Sequence, residues 1–121
     1  DSPLSTVRDN SDDSLLLRGF AVSPGIVTGE VSVILTPGDF DQMKPGTILV
    51  FPFTTPAWTL LFPQAIGLAT DIGSILAHGS IVAREFGIPA VLGIGDVTQR
   101  VRNGQRVTID GNRGLVRIEE D

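Results

Sequence analysis

Apolar residues follow two distinct patterns along this chain. In residues 26–35, Val27, Val31, Val33 and Leu35 share one parity, with Thr28, Glu30 and Ser32 between them. A period of two is that of a strand with one face covered, here entered through a Ser23-Pro24-Gly25 turn. Residues 47–53, after Pro45-Gly46, form an almost continuous apolar run, which suits a strand buried on both faces. Residues 66–70 and 90–94 read as two more short buried strands. Alternation returns in residues 105–110 and 115–119, and Asp110-Gly111-Asn112-Arg113-Gly114 supplies the turn chemistry of a closing hairpin.

Three short helices fit between these strands. Thr55 is placed to cap one, with Pro56 at its first position and Pro63 as its stop. A second spans 79–86 and is stopped by Gly87 and Pro89. Asp96 is placed to cap a third over 97–102, ended by Asn103-Gly104. Short strands interleaved with short helices predict a mixed α/β layer fold, in which the strands form a mixed sheet or sandwich.

Composition narrows the function classes. The 121 residues are 41% hydrophobic and 19% charged, enough for one globular domain with a real core. Residues 1–14 are polar, with Asp9, Asp12 and Asp13, and read as a linker or tail, leaving 15–121 as the folded domain. A net charge of −5 argues against a nucleic-acid partner and against an anionic membrane surface. The absence of Cys excludes disulfides and thiolate metal sites and fits a reducing compartment, so a cytoplasmic location is expected. No apolar run approaches the roughly 18 residues of a membrane span. The Asp1-Ser2-Pro3 start, without Met or a signal pattern, reads as part of a longer polypeptide.

The sole histidine, His78, stands in Gly73-Ser74-Ile75-Leu76-Ala77-His78-Gly79-Ser80, after a predicted buried strand and where a helix should begin. N–H groups at a helix start lack intrahelical acceptors, and the helix dipole there favours anions. A phosphoryl group on the imidazole would then meet the Gly79 and Ser80 amides, with the Ser80 hydroxyl as a further donor. A neutral imidazole offers a nucleophilic nitrogen near pH 7, and phosphoryl transfer depends mainly on positioning and charge stabilisation. The bland alternative is a structural histidine beside apolar neighbours, and these residues alone leave both readings open.

The run Ala77-His78-Gly79-Ser80-Ile81-Val82-Ala83-Arg84-Glu85-Phe86-Gly87-Ile88-Pro89-Ala90-Val91-Leu92-Gly93 resembles the phosphohistidine signature of the mobile domain of phosphoenolpyruvate-utilising enzymes. Ser23-Pro24-Gly25 with Thr28-Gly29, Thr55-Pro56-Ala57-Trp58, and Asp110-Gly111 with Gly114 extend the likeness over nearly all of the folded part. Gly79-Ser80 is most similar to phosphoenolpyruvate synthase-like proteins and rifampicin phosphotransferases. The resemblance implies a swivelling β/β/α domain with His78 as the phosphorylated residue, supported by Gly79, Ser80 and Ser74. It implies a phosphoryl carrier working between an ATP-grasp nucleotide-binding domain and an acceptor domain for pyruvate, phosphoenolpyruvate or another small molecule. ATP and Mg²⁺ are expected on those partner domains, and no metal or cofactor on this one.

Two positions depart from the family pattern. Ala77 replaces the usual Ser or Thr before the histidine, and Ser74 replaces a common second glycine. A lost hydrogen bond to a charged group is worth about 1.5–3 kcal/mol, more than tenfold in rate. The alternative function is therefore a degenerate docking or regulatory module of the same fold. Arg84 is expected in a salt bridge, Asp71 in a turn or cap, and Trp58 with Phe62 in the core or a docking surface. Gly93-Ile94-Gly95 lacks the third glycine and the βαβ unit of a dinucleotide fingerprint. Neither a nucleophile elbow nor a zinc ligand set is present.

Overall fold

The computed structural model describes residues 16–53, 55–73 and 78–119. The proposed 1–14 tail lies outside them. Eight strands follow one another as β1 (Leu16–Arg18), β2 (Phe20–Ser23), β3 (Ile26–Val33), β4 (Thr47–Phe51), β5 (Ala65–Thr70), β6 (Ala90–Leu92), β7 (Arg106–Asp110) and β8 (Leu115–Ile118). Two α-helices, α1 (His78–Phe86) and α2 (Val97–Arg100), and two 3-10 segments, Pro37–Gln42 and Pro56–Gln64, complete the described chain. The strand order is β1-β8-β7-β3-β4-β5-β6-β2.

β3 is the corner of this sheet. Its first half, Ile26 to Glu30, pairs antiparallel with β7, and its second half, Val31 to Val33, pairs parallel with β4. The strands therefore divide into an antiparallel layer (β1, β8, β7, β3) and a largely parallel layer (β3, β4, β5, β6), with β2 antiparallel on the edge. A strand that changes sheets folds the two layers onto each other.

Alternating residues of the parallel layer feed two cores. Ile48, Val50, Ala69 and Val91 face the antiparallel layer's Val107, Ile109 and Val116. Leu49, Phe51, Leu68 and Leu92 face a helical layer that supplies Trp58, Phe62 and Ala83. Trp58 stacks on Phe51 with ring centroids 5.3 Å apart and meets Phe40 at 5.0 Å. The result is the β/β/α layering that the family resemblance implies, and all five residues of β4 are buried as the apolar run requires.

Several local expectations are corrected. Alternation over 26–35 predicts Leu35 inside, yet Leu35 is 50% exposed while Ile34 is fully buried. β3 ends at Val33, so Leu35 lies beyond the strand and outside its alternation. Pro63 does not stop its helix, which is a 3-10 segment continuing to Gln64 and closed by the Ala65 N–H on the Phe62 carbonyl. Neither Thr55 nor Asp96 caps through its side chain. The third helix is shorter than expected because Val101 is already extended. The stop at Gly87 is as predicted. Gly87 has φ +71°, its N–H reaches the Arg84 carbonyl (3.1 Å) and the Ile88 N–H reaches Ala83 (3.0 Å), a Schellman closure.

The glycine-rich turns brace one another across the fold. Gly111 N–H donates to the Gly25 carbonyl at 2.7 Å, and Gly25 N–H donates to Asn112 Oδ1 at 3.0 Å. A Cβ on Gly111 would lie 1.9 Å from the Ser23 carbonyl oxygen, so no other residue fits without moving the backbone. Gly111→Ala should cost about 3 kcal/mol in urea-induced unfolding, against at most about 0.5 kcal/mol for Gly38→Ala, where the added methyl meets nothing closer than ordinary contact.

Candidate functional site

The parallel strands β4, β5 and β6 all end at one edge of the domain, and the histidine is delivered there. β5 and β6 are parallel neighbours joined through α1, so the helix starts at the edge where β5 ends. Gly79, Ser80 and Ala83 form its buried stripe, packed against Pro56–Gln64, β2 and β6. His78, its first residue, lies on the exposed side together with Ile81 and Glu85.

Ser74 and Ala77 lie outside the described residues. Gly79 and Ser80 follow His78 at the start of the helix as described, and both are buried. The expected part of the Ser80 hydroxyl is corrected: Ser80 is 0% exposed, so its side chain is packed within the domain and is not displayed to solvent beside the imidazole. A small residue is needed at that position because the helix sits there directly on its neighbours. Arg84 lies further along the helix, and its Nε donates to the Ser80 carbonyl at 3.3 Å.

The root of the loop that leads to His78 is clamped from both sides. Asp71 N–H and Ile72 N–H donate to the carbonyls of Phe51 (3.4 Å) and Pro52 (2.9 Å) at the end of β4. On the other side, Ile94 N–H reaches the Thr70 carbonyl (2.9 Å) and Gly95 N–H the Asp71 carbonyl (2.8 Å). The buried Thr70 hydroxyl donates to the Ile72 carbonyl at 2.9 Å and accepts from Gly93 N–H at 3.3 Å. Gly93 has φ +73°, and a Cβ there would lie 2.6 Å from the Gly73 carbonyl oxygen. The Gly93–Gly95 amides are thus spent on holding the end of β5, which agrees with rejecting a dinucleotide cradle.

Asp71 is the side chain in this clamp that sequence reasoning placed only loosely. Its Oδ1 accepts from Thr98 N–H at 3.0 Å and its Oδ2 from the Thr98 hydroxyl. It caps the start of α2 in place of Asp96, whose Oδ2 instead accepts from Arg100 Nε at 3.0 Å. Asp71 and Thr98 are 27 positions apart, and no local pattern could have paired them. Trp58 and Phe62 are core, as one of the two expectations for them had it. Among the described residues no three His, Cys, Asp or Glu side chains gather into a metal-binding group, and no helix is long and apolar enough to cross a membrane.

The profile of the family described as PEP-utilising enzyme, mobile domain, matches residues 43–114, which include the whole clamp and His78. The chain belongs to this family. Its mobile domain is 43% identical over 114 residues to an uncharacterised phosphotransferase, YvkC, of Bacillus subtilis, covering 94% of this chain and 14% of that protein. It is 42% identical to a rifampicin phosphotransferase of Streptomyces sviceus (92% of this chain, 13% of that one) and 43% identical to a phosphoenolpyruvate synthase of Aeropyrum pernix (87% and 13%). The chain thus spans about one seventh of the length of these curated relatives. Among solved structures, an Enzyme I protein matches with a TM-score of 0.58 and 34% identity, over 65% of this chain and 33% of that one. The holo-form of Thermococcus kodakaraensis aconitase X shares the fold, with a TM-score of 0.65 at 24% identity over 87% and 98% of the two chains. These relatives are named as phosphotransferases and a phosphoenolpyruvate synthase, and the chain has the mixed α/β architecture expected from the sequence.

The clamp can be tested by itself. Asp71→Ala leaves the Thr98 N–H and hydroxyl without their acceptor and should cost about 2 kcal/mol in urea-induced unfolding. Asp71→Asn, which keeps an acceptor for the amide and a donor for the hydroxyl, should cost less than half of that.

Proposed function

We propose that this mobile domain is a phosphoryl carrier and that His78 is the residue that carries the group. The single observation that supports the reading most is the position of the imidazole: exposed, on the first residue of a nine-residue helix, at the edge where three parallel strands end. A histidine kept for packing would be enclosed by the cores on either side of the parallel layer. His78 stands outside both.

The reaction follows from that placement. A ring nitrogen uses its lone pair to attack a phosphorus atom of ATP held by an ATP-grasp nucleotide-binding domain, forming an N–P bond as the bridging P–O bond breaks. The leaving phosphate oxygen takes the bonding pair. Rigid-body movement then brings phosphohistidine to an acceptor domain, where a substrate oxygen attacks phosphorus and the N–P pair returns to the ring. Mg²⁺ belongs with the nucleotide on the partner, where it neutralises charge on the transferring phosphates. The acceptor is pyruvate, in the direction that makes phosphoenolpyruvate, or the hydroxyl of another small molecule. The relatives named as phosphoenolpyruvate synthase and rifampicin phosphotransferase support this substrate range.

Ala77 favours the second reading, a docking or regulatory module of the same fold that has lost the chemistry. Two variants separate them. The full-length protein that carries this domain, given ATP and Mg²⁺, should gain an acid-labile phosphate by mass spectrometry, absent in His78→Ala. Ala77→Thr should speed that labelling by about tenfold, the value of one hydrogen bond to a charged group. An unlabelled wild type together with an unlabelled Ala77→Thr variant would establish the module reading.

A further inference from the structure

Every polar group of Asp71 is engaged, and the partners lie in three different segments. Its N–H donates to the Phe51 carbonyl at the end of β4 (3.4 Å), and its carbonyl accepts from Gly95 N–H in the turn after β6 (2.8 Å). Its carboxylate accepts from the Thr98 N–H (3.0 Å) and the Thr98 hydroxyl in α2. The chain stays on the same support past Asp71. A Cβ built on Gly73 would meet Leu92 Cβ, at the end of β6, at 3.2 Å.

Capping alone does not account for this carboxylate. α2 runs only from Val97 to Arg100, and Asp96 already places a carboxylate at its local cap position. That group accepts from Arg100 instead, while the acceptor for Thr98 comes from the end of β5, 27 positions away. α2 is itself anchored by Val97, fully buried in one core with Val50, Ala69 and Val91. Asp71 therefore ties the end of β5 to a core-anchored element where the chain leaves the sheet towards the histidine. The far end of the same crossover is held by the buried Gly79, Ser80 and Ala83 of α1.

We infer that Asp71 is a positioning residue for His78, its carboxylate fixing the root from which the imidazole is presented to a phosphoryl donor. This rests on the carrier reading above. Attack requires the ring nitrogen within about 3–3.5 Å of phosphorus, and a misplacement of about 1 Å costs about a hundredfold in rate. A donor held on a partner domain cannot follow a displaced imidazole, whereas a small donor free in solution can. Asp71 acts through the backbone and not on the nucleotide. Its loss should therefore lower the rate at saturating ATP and leave KM for ATP unchanged.

The test uses the full-length protein and two phosphoryl donors, ATP with Mg²⁺ and phosphoramidate, at a temperature where circular dichroism shows each variant folded. Asp71→Ala should slow labelling of His78 at saturating ATP at least about tenfold, with KM for ATP and labelling by phosphoramidate changed less than about twofold. Asp71→Asn should restore the ATP rate to within about threefold of wild type. Val116→Ala, which loosens the core of the antiparallel layer, should change neither rate. Should Asp71→Ala not fold, Thr98→Val decides in its place, with an expected slowing of at least about threefold with ATP alone. Unchanged ATP labelling in the folded Asp71 or Thr98 variant would overturn the positioning role and leave the carrier reading standing. Equal slowing with both donors, or the same slowing in Val116→Ala, would overturn it too, because general loosening of the domain would then explain the loss. A wild-type protein that ATP does not label would remove the carrier reading, and the role of Asp71 with it.

Discussion

Every side chain of Thr47–Phe51 is buried, Ile48 and Val50 against the antiparallel layer and Leu49 and Phe51 against the helical layer. Strands held in this way cannot slide, since a shift of one residue would exchange the two cores. The positions where β4 and β5 end are fixed by that double burial. Hydrogen bonds from Asp71 and Ile72 to the Phe51 and Pro52 carbonyls pass the constraint to the loop that leads to the histidine. The end of β5, from which the chain runs on to the exposed histidine, is therefore held at a strand end buried on both faces. That is what a carrier needs if it moves as a rigid body and must present one nitrogen in the same way at two places.

The mixed α/β class was legible because it follows from residue patterning, while the β/β/α layering came with the family resemblance. Continuous apolar runs mark strands covered twice, alternating runs mark strands covered once, and Gly87 with Pro89 marks a helix end. What escaped depended on contacts between distant positions. β1 and β2 have three and four residues, too few to show a period, and they are edge strands whose place is set by partners near the far end of the chain. Leu35 was misplaced because β3 stops at Val33, two residues before the apolar alternation ends. Asp96 looked like a cap by its residue type, yet the cap of α2 comes from Asp71.

The site was legible in a different way. His78 was singled out by its residue type, its glycine neighbour and the family likeness, whereas its exposure is information only the fold supplies. The wider motif pattern divides in two once the turns are seen together. Ser23-Pro24-Gly25 and Asp110-Gly111-Asn112 meet through the Gly111–Gly25 and Gly25–Asn112 hydrogen bonds, with a carbonyl where a Gly111 side chain would stand. These residues brace the junction between layers and contribute no reacting group. Within the described part of the signature, His78 is exposed while Ser80, Ala83, Ile88 and Ala90 are packed inside, so much of that signature encodes the frame.

The frame also limits how firmly this domain can hold an anion by itself. The Ser80 side chain is packed inside, and Arg84 Nε is turned back along the helix to the Ser80 carbonyl. Among the described residues, the helix start beside the imidazole is a modest source of positive potential, worth about 0.3–1 kcal/mol at an exposed position. A phosphoryl group on His78 would draw most of its charge stabilisation from whichever partner surrounds it. For a shuttle this weakness is functional, because a domain that bound its cargo tightly would have to break those bonds at each delivery. On the proposed carrier reading, leaving the charged groups on the partners would let either of them hold the phosphate more strongly than this domain does. On that reading the group would pass in either direction, according to which partner holds it more strongly.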